Sequence, residues 1–168
     1  MTTLFVLPAL AACLWAPPCT CILGPPIASE ATAFAARNAA SAVFVGVVQR
    51  IDFVPVTIAV DSATGRAWRS TDAIATVRVL RAWKGDVDRT VVVRTASETT
   101  MCGASLRRGR SLLVFGTPDD VDGRGDAIPV ERGDTVYTSK CAPTTDVTSQ
   151  IQRISELLGP PESRSPEA

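Results

Sequence analysis

Between residues 72 and 85 the chain reads DAIATVRVLRAWKG, its clearest strand. Ile74, Thr76, Arg78, Leu80 and Ala82 fall on one face of a two-residue period, and Ala75, Val77, Val79, Arg81 and Trp83 on the other. Neither face is cleanly polar, which predicts a long, coiled strand set deep in a closed sheet. Upstream, SAVFVGVVQRIDFVPVTIAVDS (41–62) is rich in Val, Ile and Phe and reads as two strands. Pro55 confines the second of these to an edge, an end or a bulge. Gly46 inside the first predicts a sharp bend or a close backbone approach. RTVVVRT (89–95) and SLLVFG (111–116) supply a fourth and a fifth strand, and TVYTSKC (135–141) a short last one.

The period becomes helical near both ends. Ser29 or Thr32 can cap a helix running to about Arg37, with Glu30 in its first turn and Ala31, Phe34 and Ala35 as its apolar face. Near the other end, Val147, Ile151, Ile154, Leu157 and Leu158 form a helical stripe, which Gly159-Pro160-Pro161 stops. Residues 160–168 are expected to be disordered. Five or six strands between two helices predict a mainly β fold, a small closed antiparallel barrel with flanking N- and C-terminal helices.

The chain has 168 residues, enough for one domain with a proper core, and 17 basic against 17 acidic side chains. Its densest basic cluster, Arg107-Arg108-Gly109-Arg110, reads as a turn, so no nucleic-acid partner is expected. Histidine is absent altogether. That removes the commonest general base and the commonest zinc ligand together. With no compact Asp/Glu, Ser/Lys or metal-ligand cluster either, neither an enzyme nor a resident metal or other cofactor is expected. Asp119, Asp120, Asp122 and Asp126 lie close in sequence, but their spacing is not that of a calcium loop, and a solvated hairpin is the expectation. Trp83 is expected to be buried against the sheet, since it lacks the basic and aromatic company of a ligand platform.

LFVLPALAACLW (4–15) has the length of a signal-peptide core and is too short to span a bilayer, so residues 1–18 are expected to be a leader. Export to the outside, the periplasm or the cell surface follows from it. Three processing points remain open: before Cys13, before Pro17 and before Cys19. Leu10-Ala11-Ala12-Cys13 matches a lipoprotein box, which would make Cys13 a lipidated anchor. If Cys13 leaves with the leader, Cys19, Cys21, Cys102 and Cys141 remain, an even number suited to an oxidising compartment. A Cys19–Cys21 ring would be strained, which leaves two alternative pairings. Either staples the N-terminal segment to two distant parts of the chain, at about 4 kcal/mol per bridge in the chain-entropy model.

Cys19-Thr20-Cys21, then AVFVGVV (42–48), VRVLRAWKG (77–85), Cys102-Gly103, GRSLLVF (109–115) and a late Cys141 together resemble the tissue inhibitors of metalloproteinases, within the netrin-like modules. The likeness spans roughly Cys19 to Leu158, and the chain resembles the shorter one-domain members. It implies a five-stranded OB-like barrel over residues 19–159 with a helix packed at each end, and disulfides Cys19–Cys102 and Cys21–Cys141. It further implies that the free amine and carbonyl of Cys19 would chelate the zinc of a partner protease, with Thr20 directed at the specificity pocket. Ser97, Glu98, Thr99, Thr100 and Met101, and a hairpin near Asp52–Val54, would flank Cys19, Thr20 and Cys21 at the contact. The departure from the family pattern lies just ahead of Cys19. Pro17-Pro18, or the residues following Cys13, would block the chelating amine unless processing ends at Pro18. The expected partner is therefore a zinc metalloprotease or, if the cysteines serve only as staples, another extracellular protein bound by a structural or adaptor module. Contact with a membrane would come only through a lipid on Cys13.

Overall fold

The computed structural model describes residues 27–97, 103–118, 133, 135–139 and 142–162, with the backbone alone at 58, 59, 68 and 118. In chain order it comprises α1 (Glu30–Ala39), β1 (Ala42–Val60), β2 (Ala67–Lys84), β3 (Thr90–Ala96), β4 (Ser111–Pro118), β5 (Thr135–Tyr137) and α2 (Thr148–Leu158). This is a mainly β protein with a five-stranded sheet and two helices. The Asp119–Asp126 segment, expected as a solvated hairpin, lies outside the described residues.

The stretch expected to hold two strands is one, 19 residues long. It stays continuous because β2 runs beside it throughout, from Val43 opposite Lys84 to Val60 opposite Ala67. Pro55 is tolerated because β4 accompanies β1 only from Ala42 to Val47. Beyond that point one side of β1 has no strand partner among the described residues, so Pro55 sits on an edge, as expected. Gly46 answers to the close approach predicted for it: a Cβ there would lie 2.6 Å from the carbonyl oxygen of Arg78.

β1 pairs with β2, β2 with β3, β3 with β5, β5 with β4, and β4 again with β1. The β3–β5 pairing is parallel, which corrects the all-antiparallel expectation. Its physical basis is the long excursion through β4 between those strands, since parallel neighbours need a crossover rather than a hairpin. Alternate residues of all five strands meet on one face: Phe44, Val48, Val77, Val91, Val93, Leu112, Val114 and Val136 form a buried cluster.

A second cluster lies on the opposite face of β1 and β4. There Val43, Val45, Leu113 and Phe115 pack with Trp83, Ala33, Ile151, Ile154 and Leu158. Covered on both faces, AVFV and LLVF are continuous apolar runs instead of alternating ones. Both helices belong to this single layer, so they do not cap opposite ends of the sheet. In α1 the buried side is also the reverse of the expected one. Ala33 is buried and Ala36 packs beside it, while Ala31 and Ala35 are exposed and Phe34 is 63% exposed. Small side chains let α1 approach β1 and α2 closely, where a phenyl ring would hold it away. Ser29 caps α1 in a reciprocal capping box with Thr32. In α2, Val147 is the exposed N-cap residue and not part of the buried stripe.

The RAWKG end of β2 joins the two layers. The β1–β2 register shifts between Val43 and Phe44, whose partners are Lys84 and Ala82, so Trp83 is an extra residue. A second shift, between Val45 and Gly46, whose partners are Arg81 and Val79, leaves Leu80 as an extra residue; that bulge turns Ala82 to the inner cluster and Trp83, 1% exposed, to the helix-side cluster. The expected alternation through Arg81 and Trp83 is interrupted there. Trp83 Nε1 donates to the Gly159 carbonyl at 2.8 Å, just past α2. Lys84 Nζ donates to the carbonyls of Arg37 and Asn38, at the negative end of the α1 dipole. Gly85, with φ +89°, packs against the backbone of Ser41 and Ala42. The first residues of the expected disordered tail are held as well. Glu162 N–H donates to Ala82 O at 2.9 Å, and its carboxylate pairs with Arg37 at 2.8 Å.

Candidate binding edge

Of the residues expected at a protease contact, Ser97 lies within the described residues, as do Asp52, Phe53 and Val54. Cys19, Thr20, Cys21, Glu98, Thr99, Thr100 and Met101 lie outside them, as do Cys13, Cys102 and Cys141. Neither the two disulfides that the resemblance implies nor the lipoprotein box at Cys13 therefore has a described geometry.

Asp52–Val54 is not a hairpin. These residues stand in the middle of β1, opposite Asp72–Ile74. The β1–β2 turn comes later, at residues 61–66, because Asp61 and Gly65 supply its chemistry. Asp61 Oδ1 accepts from the amides of Ala63 and Thr64 at 2.8 and 3.2 Å, and Gly65 takes φ +66°. These bonds, the Ala63 amide foremost and then Thr64 through its side chain and amide, hold the Asp61 carboxyl below the ordinary aspartate range.

The register nevertheless brings Asp52–Val54 and Ser97 to one stretch of the sheet, with β2 between them. Val54 lies opposite Asp72, and Asp72 opposite Ala96. Ser97 N–H donates to Thr71 O at 2.9 Å. Two strand spacings, about 10 Å, therefore separate the backbone at Val54 from that at Ala96. Phe53, 67% exposed, stands beside this row, opposite Ala73. Sequence reading placed Phe53 in the contact region without foreseeing its exposure. The clue was its position on the open side of β1, past the last residue that β4 accompanies.

Both flanks of the 98–102 segment are anchored. On one side Asp72, 8% exposed, binds Arg94 Nε through Oδ2 at 2.6 Å, tying β2 to β3 just before Ser97. On the other side Gly103 is buried and Ala104 N–H donates to the buried Thr95 Oγ1 at 2.8 Å. The residues around Cys141 are fixed in the same manner to a different place. Thr138 Oγ1 donates to Phe115 O at 2.8 Å, Thr144 Oγ1 accepts from Phe115 N–H at 3.0 Å, and Ala142 packs against the helix-side cluster. Asp72 and Arg94 were not singled out from sequence. Their pairing is diagonal across β2 and β3 and depends on a register that spacing alone does not reveal.

Among the described residues no group of three or more Cys, Asp or Glu side chains could hold a metal ion. No helix there is long and apolar enough to cross a membrane. The chain matches no protein-family model, and no curated protein matches it.

Proposed function

We propose that this chain is an exported, non-enzymatic binding module of the kind seen in the tissue inhibitors of metalloproteinases and other netrin-like proteins, and that its ring of strands is an OB-like barrel. The observation that carries the reading is the strand order β1-β2-β3-β5-β4-β1 with one parallel pairing, between β3 and β5. Five strands that return to one another around one apolar cluster support an OB-like arrangement. A sequence without histidine favours binding over catalysis.

The contact would be the edge bearing Asp52–Val54 and Ser97, with Cys19-Thr20-Cys21 stapled beside it through Cys19–Cys102 and Cys21–Cys141. On this reading the α-amine and carbonyl of Cys19 would form a five-membered chelate on a protease zinc, displacing its water. An α-amine loses its proton near neutral pH, so metal binding would cost it little. Stapling would lower the ordering cost of the complex. The metal belongs to the partner. Pro17-Pro18 supports a second reading, in which residues ahead of Cys19 keep the amine blocked and the module serves as an adaptor on the cell surface or outside the cell.

The deciding experiment compares a protein whose first residue is Cys19 with one carrying a single alanine ahead of it, each titrated against a panel of zinc metalloproteases. Chelation requires the added residue to weaken inhibition by orders of magnitude, because it turns the amine into an amide. Equal behaviour of the two, or no inhibition by either, removes the inhibitor reading and leaves the adaptor.

A further inference from the structure

Little apolar surface holds α1 to the sheet. Ala33 is its one buried side chain, Ala36 packs beside it, and Phe34 is exposed. A helix of ten residues is marginal alone in water, so its docking decides whether it stays formed. Polar ties make up the difference, and they gather at its C-terminal half. Lys84 Nζ donates to the carbonyls of Arg37 and Asn38 at 3.1 and 3.0 Å, and Arg37 Nη2 donates to Glu162 Oε1 at 2.8 Å. Near the opposite end Arg153 reaches the Ala28 carbonyl at a longer 3.5 Å.

Glu162 lies 125 residues from Arg37 in sequence and arrives by a short, stiffened route. α2 ends at Leu158, and Gly159, at φ +74°, turns the chain off the helix. Trp83 Nε1 donates to the Gly159 carbonyl at 2.8 Å, which fixes the start of the turn. Pro160 and Pro161 have their φ angles set by their rings, so these two residues give up little freedom on docking. Glu162 N–H then donates to Ala82 O at 2.9 Å, and its carboxylate lands on Arg37. Four residues thus tie together α2, the end of β2 and α1. The Arg37 and Glu162 side chains are 28% and 57% exposed, so their ion pair alone contributes little in water, and the hold comes from the combination.

We propose that residues 159–162 are a strap that keeps α1 docked, and that proteolytic trimming of the chain after Gly159 releases α1 as a unit. Pro160, Pro161 and Glu162 are all exposed, which leaves the strap open to a protease. The segment bearing Cys19-Thr20-Cys21 leads into α1, so a cut near one end of the chain would loosen the contact formed near the other. That consequence rests on the reading above; the strap itself does not.

The test is amide exchange, read by mass spectrometry, on three forms of the mature protein: the parent, a chain ending at Glu162 and a chain ending at Gly159. Peptides covering 27–40 report α1, and peptides covering 42–48 and 111–116 report the strands beneath it. The chain ending at Glu162 should exchange no faster than the parent. The chain ending at Gly159 should exchange about tenfold or more faster in α1, with less than about twofold change in the strands. Glu162→Arg keeps the backbone bond to Ala82 but sets two like charges together, and it should quicken α1 exchange about threefold or more. Exchange does not depend on protease inhibition, so failure of the inhibitor reading leaves this test intact. Unchanged α1 exchange in the chain ending at Gly159 or in Glu162→Arg would overturn the proposal. So would equal acceleration in the strands, or fast α1 exchange already in the chain ending at Glu162.

Discussion

Replacing Trp83 tests the joint between the sheet and the helix layer. The indole is 1% exposed, packs in the cluster shared by β1, β4 and both helices, and donates to Gly159 O at 2.8 Å. Trp83→Ala removes the largest fully buried side chain among the described residues and leaves a cavity among Val43, Phe115 and Leu158 that rigid strands cannot collapse into. Truncations of this kind cost about 3–5 kcal/mol. For a domain of this size about 2–4 °C is lost per kcal/mol, so the melting temperature should fall by roughly 6–20 °C. Trp83→Phe keeps a ring in the cluster but loses the hydrogen bond and some packing, a loss of roughly 1–2 kcal/mol. Thermal melts followed by circular dichroism, with the disulfide state held constant, should rank parent above Phe above Ala. Amide exchange in α2 should quicken in the same order, because the Trp83 bond holds the end of that helix. A Trp83→Ala protein melting within about 2 °C of the parent would refute the account of Trp83 as the joint.

Two further outcomes follow from single contacts. Gly46→Ala places a methyl group 2.6 Å from Arg78 O and 2.5 Å from Val77 Cγ1, forcing β1 from β2; urea melts should show a loss of about 1–3 kcal/mol, and an unchanged midpoint would contradict that close approach. For Asp61, the turn amides depress the folded-state pKa, so its contribution is present above the unfolded value of about 3.9 and is lost as pH falls through the lower folded value; a carboxyl NMR titration should give a midpoint below about 3.9, and one at or above it would contradict the turn geometry.

The sequence displayed its strands better than their relations. Alternation and Val/Ile/Phe density located β1 to β5 because burial imprints itself residue by residue. Whether 41–62 was one strand or two depended on β2 running beside it for its whole length, which is a property of the pair. The same limit hid the bulge at Trp83 and the parallel β3–β5 pairing. In α1, the aromatic residue was assigned to the core on hydrophobicity, whereas close packing selected Ala33 and left Phe34 in solvent. The Asp61 turn was missed because Pro55 drew the break in β1 too early. Ser97 and Asp52–Val54 were named from a family resemblance, and the register sets both in one stretch of the sheet, with β2 between them. The Asp72–Arg94 pair beneath them carries no local signal, since its partners are 22 residues apart.

How the N-terminal segment is fastened decides whether Cys19-Thr20-Cys21 can serve as a contact. Non-reducing peptide mapping by mass spectrometry of the protein exported by its native host reads the first residue and the bridges together. Cys19–Cys102 and Cys21–Cys141, with Cys13 in neither bridge, is the predicted result. Free thiols at two or more of those four cysteines, or a bridge to Cys13, would contradict it.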